Sequence, residues 1–226
     1  MKKIMIVFLM LVSLSLVFAA DPVALLIQGK GKVQIIRDQK TLKFKNGELL
    51  YNNDEIKTGA ESFVAIKYVD GGAAVKIFPN SVMKVSAVKN NKELGKNSVM
   101  KSGNVYSKVN NRIKGNYQVE TPTTVASVKG TGFISRITVD KKTLIIVLEG
   151  EVLVQNKISG KSRTVSAGYT AESDESGDIS IYTTHEGSVS EQELREIEAT
   201  NLDIQKTIRV QVTDDNGNIR YIDITY

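Results

Sequence analysis

Short β-type runs broken by glycine, aspartate and asparagine reversals recur from Val23 to Tyr182, and they restrict the possible folds more than any other feature. Phe63-Val-Ala-Ile-Lys-Tyr-Val69 alternates, Asp70-Gly-Gly72 reverses the chain, and Ala73-Ala-Val-Lys-Ile-Phe78 returns. An Asp-Gly step between such runs predicts a hairpin, because the tight turn needs a positive φ that glycine reaches without strain. Pro79 ends the returning strand by removing a ladder donor. Further runs stand at 33–36, 82–88, 103–109, 117–120, 125–128, 132–139, 143–148 and 152–154. Their even spacing predicts an all-β fold, a double-sheet β-sandwich or β-roll made of short hairpins. The Lys- and Asn-rich stretches 90–97 and 110–116 are expected to be surface loops.

The chain changes character near Glu172. An acidic turn at 172–178 precedes an expected strand at 179–183. Ser190-Glu-Gln-Glu193 then forms a capping box, which predicts a helix over about 191–201 with Leu194 and Ile197 at helical spacing. Residues 208–213 and 219–226 flank an Asn216-Gly217 step, the sign of a terminal hairpin. A lone hairpin is marginal, so Val210, Val212, Ile222 and Ile224 need cover from the body or from a partner.

The first 20 residues read as a cleavable signal peptide: Lys2-Lys3, an apolar stretch from Ile4 to Phe18, and small residues at 19–20. This gives an organisation of 1–20 leader, 21–184 β domain and 185–226 helix-and-hairpin tail. The expected location is periplasmic or secreted, with no membrane span after cleavage. Cysteine is absent, which excludes disulfides, a lipidated cysteine and thiolate chemistry. Removing Lys2 and Lys3 takes the formal charge from +5 to +3. Charge is unevenly spread: 84–114 is basic with Glu93 as its one acid, and 172–196 is acidic with Arg195 as its one Lys or Arg. Such polarity can pair parts of a protein or steer a partner. An exported chain with Tyr106 as the only ring in its basic segment is not expected to bind nucleic acid. A polyanionic envelope component fits that segment better.

Catalytic chemistry finds little support. His185 is the only histidine and lacks a neighbouring nucleophile and acid. Asp54, Asp70, Glu149 and Glu151 are the acids an acid/base mechanism could draw on, yet each falls at a predicted turn or strand end. One histidine and no cysteine cannot make a zinc site, and the acidic turns at 174–178 and 214–218 miss the calcium-loop spacing. Lys129-Gly-Thr-Gly132 lacks the phosphate-loop order. No metal and no cofactor is expected. Gly130 and Gly132 are read as backbone devices, with Phe133 packing inward.

Three stretches in order carry a family resemblance. They are Asp54-x-Ile56-x-Thr58-Gly59-x-x-Ser62, Thr121-Pro122 running through Gly130-Thr131-Gly132-Phe133, and Leu148-Glu149-Gly150-Glu151-Val152. Together with Asp70-Gly71 and a closing Val165-Ser-Ala-Gly168, they resemble the periplasmic domain of the FecR family over about residues 29–168. The resemblance implies a β scaffold whose motif residues are turns and strand starts, and a non-enzymatic binding or sensing module. Its partner would be a protein or a cell-envelope glycan. Members that regulate iron uptake also carry a cytoplasmic segment acting on a sigma factor and sense an outer-membrane transporter. Here the domain follows the leader directly, which implies a stand-alone exported member. The alternative is a periplasmic sensor working with a separate membrane anti-sigma or TonB-type system.

Overall fold

The computed structural model describes residues 20–90, 93–111, 115–200, 207–213 and 217–225. The expected leader, apart from Ala20, lies outside the described residues, as does most of the turn at 214–217. The chain opens with β1 (Ala24–Lys30), β2 (Val33–Arg37), β3 (Lys40–Lys43), β4 (Leu49–Leu50) and β5 (Glu55–Thr58). There follow β6 (Phe63–Tyr68), β7 (Ala73–Ile77), β8 (Val82–Asn90), β9 (Glu93–Val109), β10 (Tyr117–Glu120) and β11 (Thr124–Val128). Next come β12 (Gly132–Ile137), β13 (Thr143–Glu149), β14 (Glu151–Asn156), β15 (Ser162–Ser166), β16 (Tyr169–Ser173) and β17 (Ile179–Thr183). Helix α1 (Glu191–Ala199) and the hairpin β18 (Thr207–Thr213) and β19 (Ile219–Thr225) complete it.

Strands β1–β17 make two sheets, and β18 and β19 pair only with each other among the described residues. The first runs β4–β1–β6–β7–β9–β12–β13–β16–β17, antiparallel throughout. The second runs β3–β2–β5–β8–β9–β10–β11–β14–β15, with β9 and β10 parallel. Past β9, successive hairpins fall alternately on the two sheets, so the chain winds around one shared core. The architecture is the all-β double sheet with a C-terminal helix and hairpin.

β9 belongs to both sheets. Glu93–Ser102 pairs with β8, and Gly103–Val109 pairs with β7 and β12. The chain turns the corner at Gly103, where φ is +86°. This corrects the expected loop at 90–97, since Glu93–Asn97 is the opening of a long strand. Lys96 is 1% exposed, and its Nζ donates to Asp70 Oδ2 at 2.5 Å and to the Leu94 carbonyl at 2.7 Å. A lysine stem can line apolar surface when its charge finds a partner, and here the partner is far away in sequence.

The facing sides of the sheets supply the core: Ile35, Ile56, Met83 and Val119 from the second sheet, Ile66, Val75, Phe133 and Val147 from the first. β6 and β7 do not show the expected one-sided burial. Ala65, Lys67, Ala74 and Lys76 are buried as well as Val64, Ile66 and Val75, because the outer side of the first sheet is also covered.

One polar network crosses the core. Tyr68 and Tyr117 meet edge to face at 5.9 Å, and Ser98 Oγ lies 3.1 Å and 3.0 Å from their hydroxyls, with Ser107 2.8 Å from Tyr117. Burial holds the Tyr117 phenol up at about 12 and pushes Tyr68 higher still. A phenol raised in the folded state contributes stability that is whole below the unfolded value near 10. That contribution is lost as pH climbs through the folded value. We therefore expect unfolding free energy to fall steeply above about pH 10. Tyr117→Phe should flatten that fall in denaturant titrations across alkaline pH. An unchanged slope in the variant would refute the linkage.

Candidate functional site

The outer face of the first sheet reads as rows set by strand register. One row is Lys67, Ala74, Lys108, Gly132 and Glu149. The next is Ala65, Lys76, Tyr106, Ile134 and Ile146, and beyond it lie Asn104, Arg136, Leu144 and Glu172. An ordinary solvated sheet face would be polar across such rows. This one mixes apolar residues with buried cations.

The first row opens into a cleft of about 300 Å³ lined by Lys67, Ala74, Lys108, Val109 and Glu149 from the sheet and by Gly71, Gly72, Asn110, Asn111 and Gly130 from the turns above it. Asp70 shapes the nearest turn, accepting the Gly72 amide at 3.0 Å, and the Asn110 amide donates to the Gly72 carbonyl at 3.0 Å. Thr131 exchanges backbone bonds of 3.1 Å and 2.9 Å with Val109, and its hydroxyl donates to the Glu151 carbonyl at 2.9 Å. Gly150, at φ +74°, leaves no room for a side chain: a Cβ there would sit 2.6 Å from the Gly130 carbonyl oxygen. Lys108 and Glu149 form an ion pair across the floor, with the carboxylate the more exposed partner. The cleft thus offers charge of both signs and amide groups on rigid turns, a surface suited to the polar and charged side chains of a partner.

Helix α1 covers the remaining rows. Ser190 and Glu193 form the capping box, each accepting from the other's backbone amide. Glu193 also receives Arg136 Nη2 at 2.8 Å and Asn104 Nδ2 at 3.3 Å, while Arg136 Nη1 donates to the Ser188 carbonyl at 2.9 Å. At the other end Lys76 Nζ donates to the Glu196 carbonyl at 2.7 Å and to Thr200 Oγ1 at 2.8 Å. It also lies 3.4 Å from the Glu196 carboxylate and 4.3 Å over the Phe63 ring. A cation at a helix C-terminus complements the last free carbonyls. Burial lowers the Lys76 pKa, and Glu196 opposes that shift. Val189 and Ile197 pack on Ala65, Ala74, Phe78, Tyr106, Ile134 and Ile146.

Of the residues the sequence singled out, Asp70-Gly71, Gly130-Thr131 and Glu149-Gly150 are brought together around the cleft. The others lie elsewhere. Asp54 is buried and accepts Arg37 Nε at 2.8 Å, Arg37 Nη2 at 2.7 Å and the Tyr51 amide at 2.8 Å. Thr58 donates to the Phe78 carbonyl at 2.6 Å, and Gly59 bridges to Lys32 and Asn80 through its backbone. Thr121, beside the exposed Pro122, shares a buried hydroxyl cluster with Thr123 and Thr143. Phe133 and Val152 are in the core, and Gly168 turns the chain at φ +85° between β15 and β16. Gly132 has ordinary φ, but a Cβ there would lie 3.1 Å from the Tyr106 hydroxyl. The four acids do not gather: Asp54, Asp70 and Glu149 each hold a different cation, and Glu151 accepts from Ser166 Oγ at 3.2 Å. His185 stacks on Tyr182 at 5.8 Å.

Sequence reading missed Lys67, Lys76, Lys108, Asn111 and Arg136. A signal existed at two of them, because a lysine stands in the middle of each of the strongly apolar runs that became β6 and β7. The charge polarity also resolves differently from the simplest expectation. The acidic tail pairs with Lys76, Arg136, Lys142 and Lys161, all outside the basic segment. Within the basic segment, Lys96, Lys101 and Lys108 are held by Asp70, Glu55 and Glu149.

Comparison with known proteins gives a family-model match and structural likenesses to solved proteins. The family model described as FecR protein matches residues 54–153, a span running from the buried Asp54 through the cleft into β14. A crystal structure of a candidate anti-sigma factor from Parabacteroides distasonis ATCC 8503 is similar at 17% identity and TM-score 0.48, over 57% of this chain and 59% of that one. A second such structure from the same organism is similar at 15% identity and TM-score 0.49, over 72% and 70%. The present chain thus spans 59% of the length of the first. No curated protein matches. Among the described residues, no helix is long and apolar enough to cross a membrane.

Proposed function

From the FecR domain that residues 54–153 carry, we propose that this protein is a non-enzymatic recognition module of a sensing system, exported from the cytoplasm, which binds a protein partner through the outer face of its first sheet. The observation that carries this reading is the convergence of three family-motif turns on one cleft. Asp70-Gly71, Gly130-Thr131 and Glu149-Gly150 meet there, with Lys108 on its floor and Asn110 and Asn111 at its rim. Turns on a rigid sandwich are where binding residues concentrate. The distribution of charge favours a protein over a polyanion, because the basic segment gives its Lys96, Lys101 and Lys108 to internal acids. Asp54, Asp70 and Glu149 are each engaged by their own cation, which favours recognition over acid/base catalysis, whose base must reach the proton it abstracts.

Site-specific photocrosslinking in intact cells tests this. A crosslinking side chain at Asn111 should trap one discrete partner in the extracytoplasmic fraction, and the same group at Ser159 should not. Equal trapping at both positions, or fractionation with the cytoplasm, would count against the proposal.

A further inference from the structure

We infer that the outer face of the first sheet is a docking groove for an acidic amphipathic helix of the partner, and that α1 occupies it as an internal competitor. The inference deepens the reading above, because it names what the partner presents.

The groove runs over the two rows of the sheet that contain Lys76 and Arg136. Buried apolar groups from Ala65 to Ile146 form its floor, and two cations, Lys76 and Arg136, stand along it. The bonds of Lys76 and the carboxylate of Arg136 come from α1, not from the sheet. A fully buried lysine held by one short helix is a costly device if that helix is merely decorative, since buried charge must be matched wherever the helix goes. The groove therefore specifies its occupant: a carboxylate at one end, an apolar residue after it, and free C-terminal carbonyls or a second carboxylate over Lys76. Glu193, Ile197 and Glu196 meet that specification.

The hold on α1 is slight. α1 has nine residues and none of them is fully buried, while Leu194 is 41% exposed. A helix this short does not persist alone and depends on its docking. It is joined to β17 through Thr184–Ser190, where Gly187 takes φ +84° and makes no close contact that a side chain would disturb. An element held by two charged anchors and the packing of Ile197 can be exchanged for one that presents the same chemistry in trans. The closed form lowers the apparent affinity for such a helix by the fraction of molecules that are open.

The test uses the full chain. A fluorescent peptide spanning residues 188–200 serves as the stand-in for the partner's helix, read by anisotropy against wild type and against Glu193→Arg, which breaks the Arg136 anchor and the capping box. The peptide should bind Glu193→Arg about tenfold or more tightly than wild type. Ile197→Asp, which opens the groove by removing apolar packing, should give the same gain. Adding Arg136→Glu should abolish binding of the native peptide and restore it for a peptide carrying Glu193→Arg. Equal affinity for wild type and both opened variants, or no binding to either, overturns the inference. So does a wild-type dimer in sedimentation, which would make a second copy the occupant. Failure of the crosslinking experiment with success here would remove the exported setting and leave the groove standing.

Discussion

Gly103→Ala is expected to destabilise the protein by about 3 kcal/mol or more, from about 1–2 kcal/mol for left-handed backbone and about 1–3 kcal/mol for overpacking. At φ +86° any side chain is strained, and a Cβ there would lie 2.2 Å from Ser81 Oγ and 2.6 Å from Ser81 Cα. Ser81 cannot step aside cheaply, because its amide donates to Thr58 Oγ1 at 3.0 Å and its hydroxyl accepts from the Asn104 amide at 3.0 Å. Those contacts pin the corner where β9 leaves one sheet for the other. In a domain of this size the loss should lower the melting temperature by about 10 °C. A variant melting within a degree or two of wild type would mean that the corner is not rigid and that β9 does not lock the two sheets together.

The second large effect is expected at Asp54. Its side chain is 1% exposed and receives two bonds from Arg37 and one from the Tyr51 amide. Arg37 is partly buried, donates to the Leu49 carbonyl at 2.9 Å and lies 4.4 Å over the Tyr51 ring. Its pKa is raised by the hydrogen bond to Asp54. Asp54→Ala strands that guanidinium and the Tyr51 amide together, and breaking such a pair costs roughly 3–5 kcal/mol. Replacing both members with apolar residues should recover part of the loss, because the desolvation penalty leaves with the charges. Chemical denaturation of the single and double variants measures this, and a double variant as unstable as the single one would contradict it. Either result bears on the family motif, since Asp54 opens the matched span and acts from the body of the domain, away from the cleft.

Much of the fold was legible in the sequence for physical reasons that can be named. Asp70-Gly71 turned where turn chemistry placed it, and Ser190 with Glu193 capped α1 as spacing required. Other parts were not legible. The turn between β2 and β3 uses Asp38 and Gln39 at φ +47° and +64°, a left-handed pair without the glycine that normally marks it. Residues 93–97 looked like a solvated loop because composition cannot reveal that Lys96 will find Asp70 across the sandwich. The continuation of β9 through Asn97–Ser102 was hidden for a related reason: burial alternates there, but the inward positions 96 and 98 are Lys96 and Ser98, so no apolar period marks the strand. The cleft was half legible, since its glycines and acids were motif residues. Asn110 and Asn111 fell in an expected loop, but only strand register sets Lys67, Lys108 and Glu149 in one row beneath them. The docking of α1 depended on Lys76 and Arg136, which only the register of β7 and β12 places on one face.

Amide hydrogen exchange on wild type and Glu193→Arg tests most directly whether that face is a working surface under a removable cover. The account predicts that protection collapses across Glu191–Ala199 in the variant while β7, β9 and β12 keep theirs. Exchange that accelerates through those strands as well would make α1 an inseparable part of the sandwich. Unchanged protection in α1 would mean that Arg136 and the capping box do not hold it.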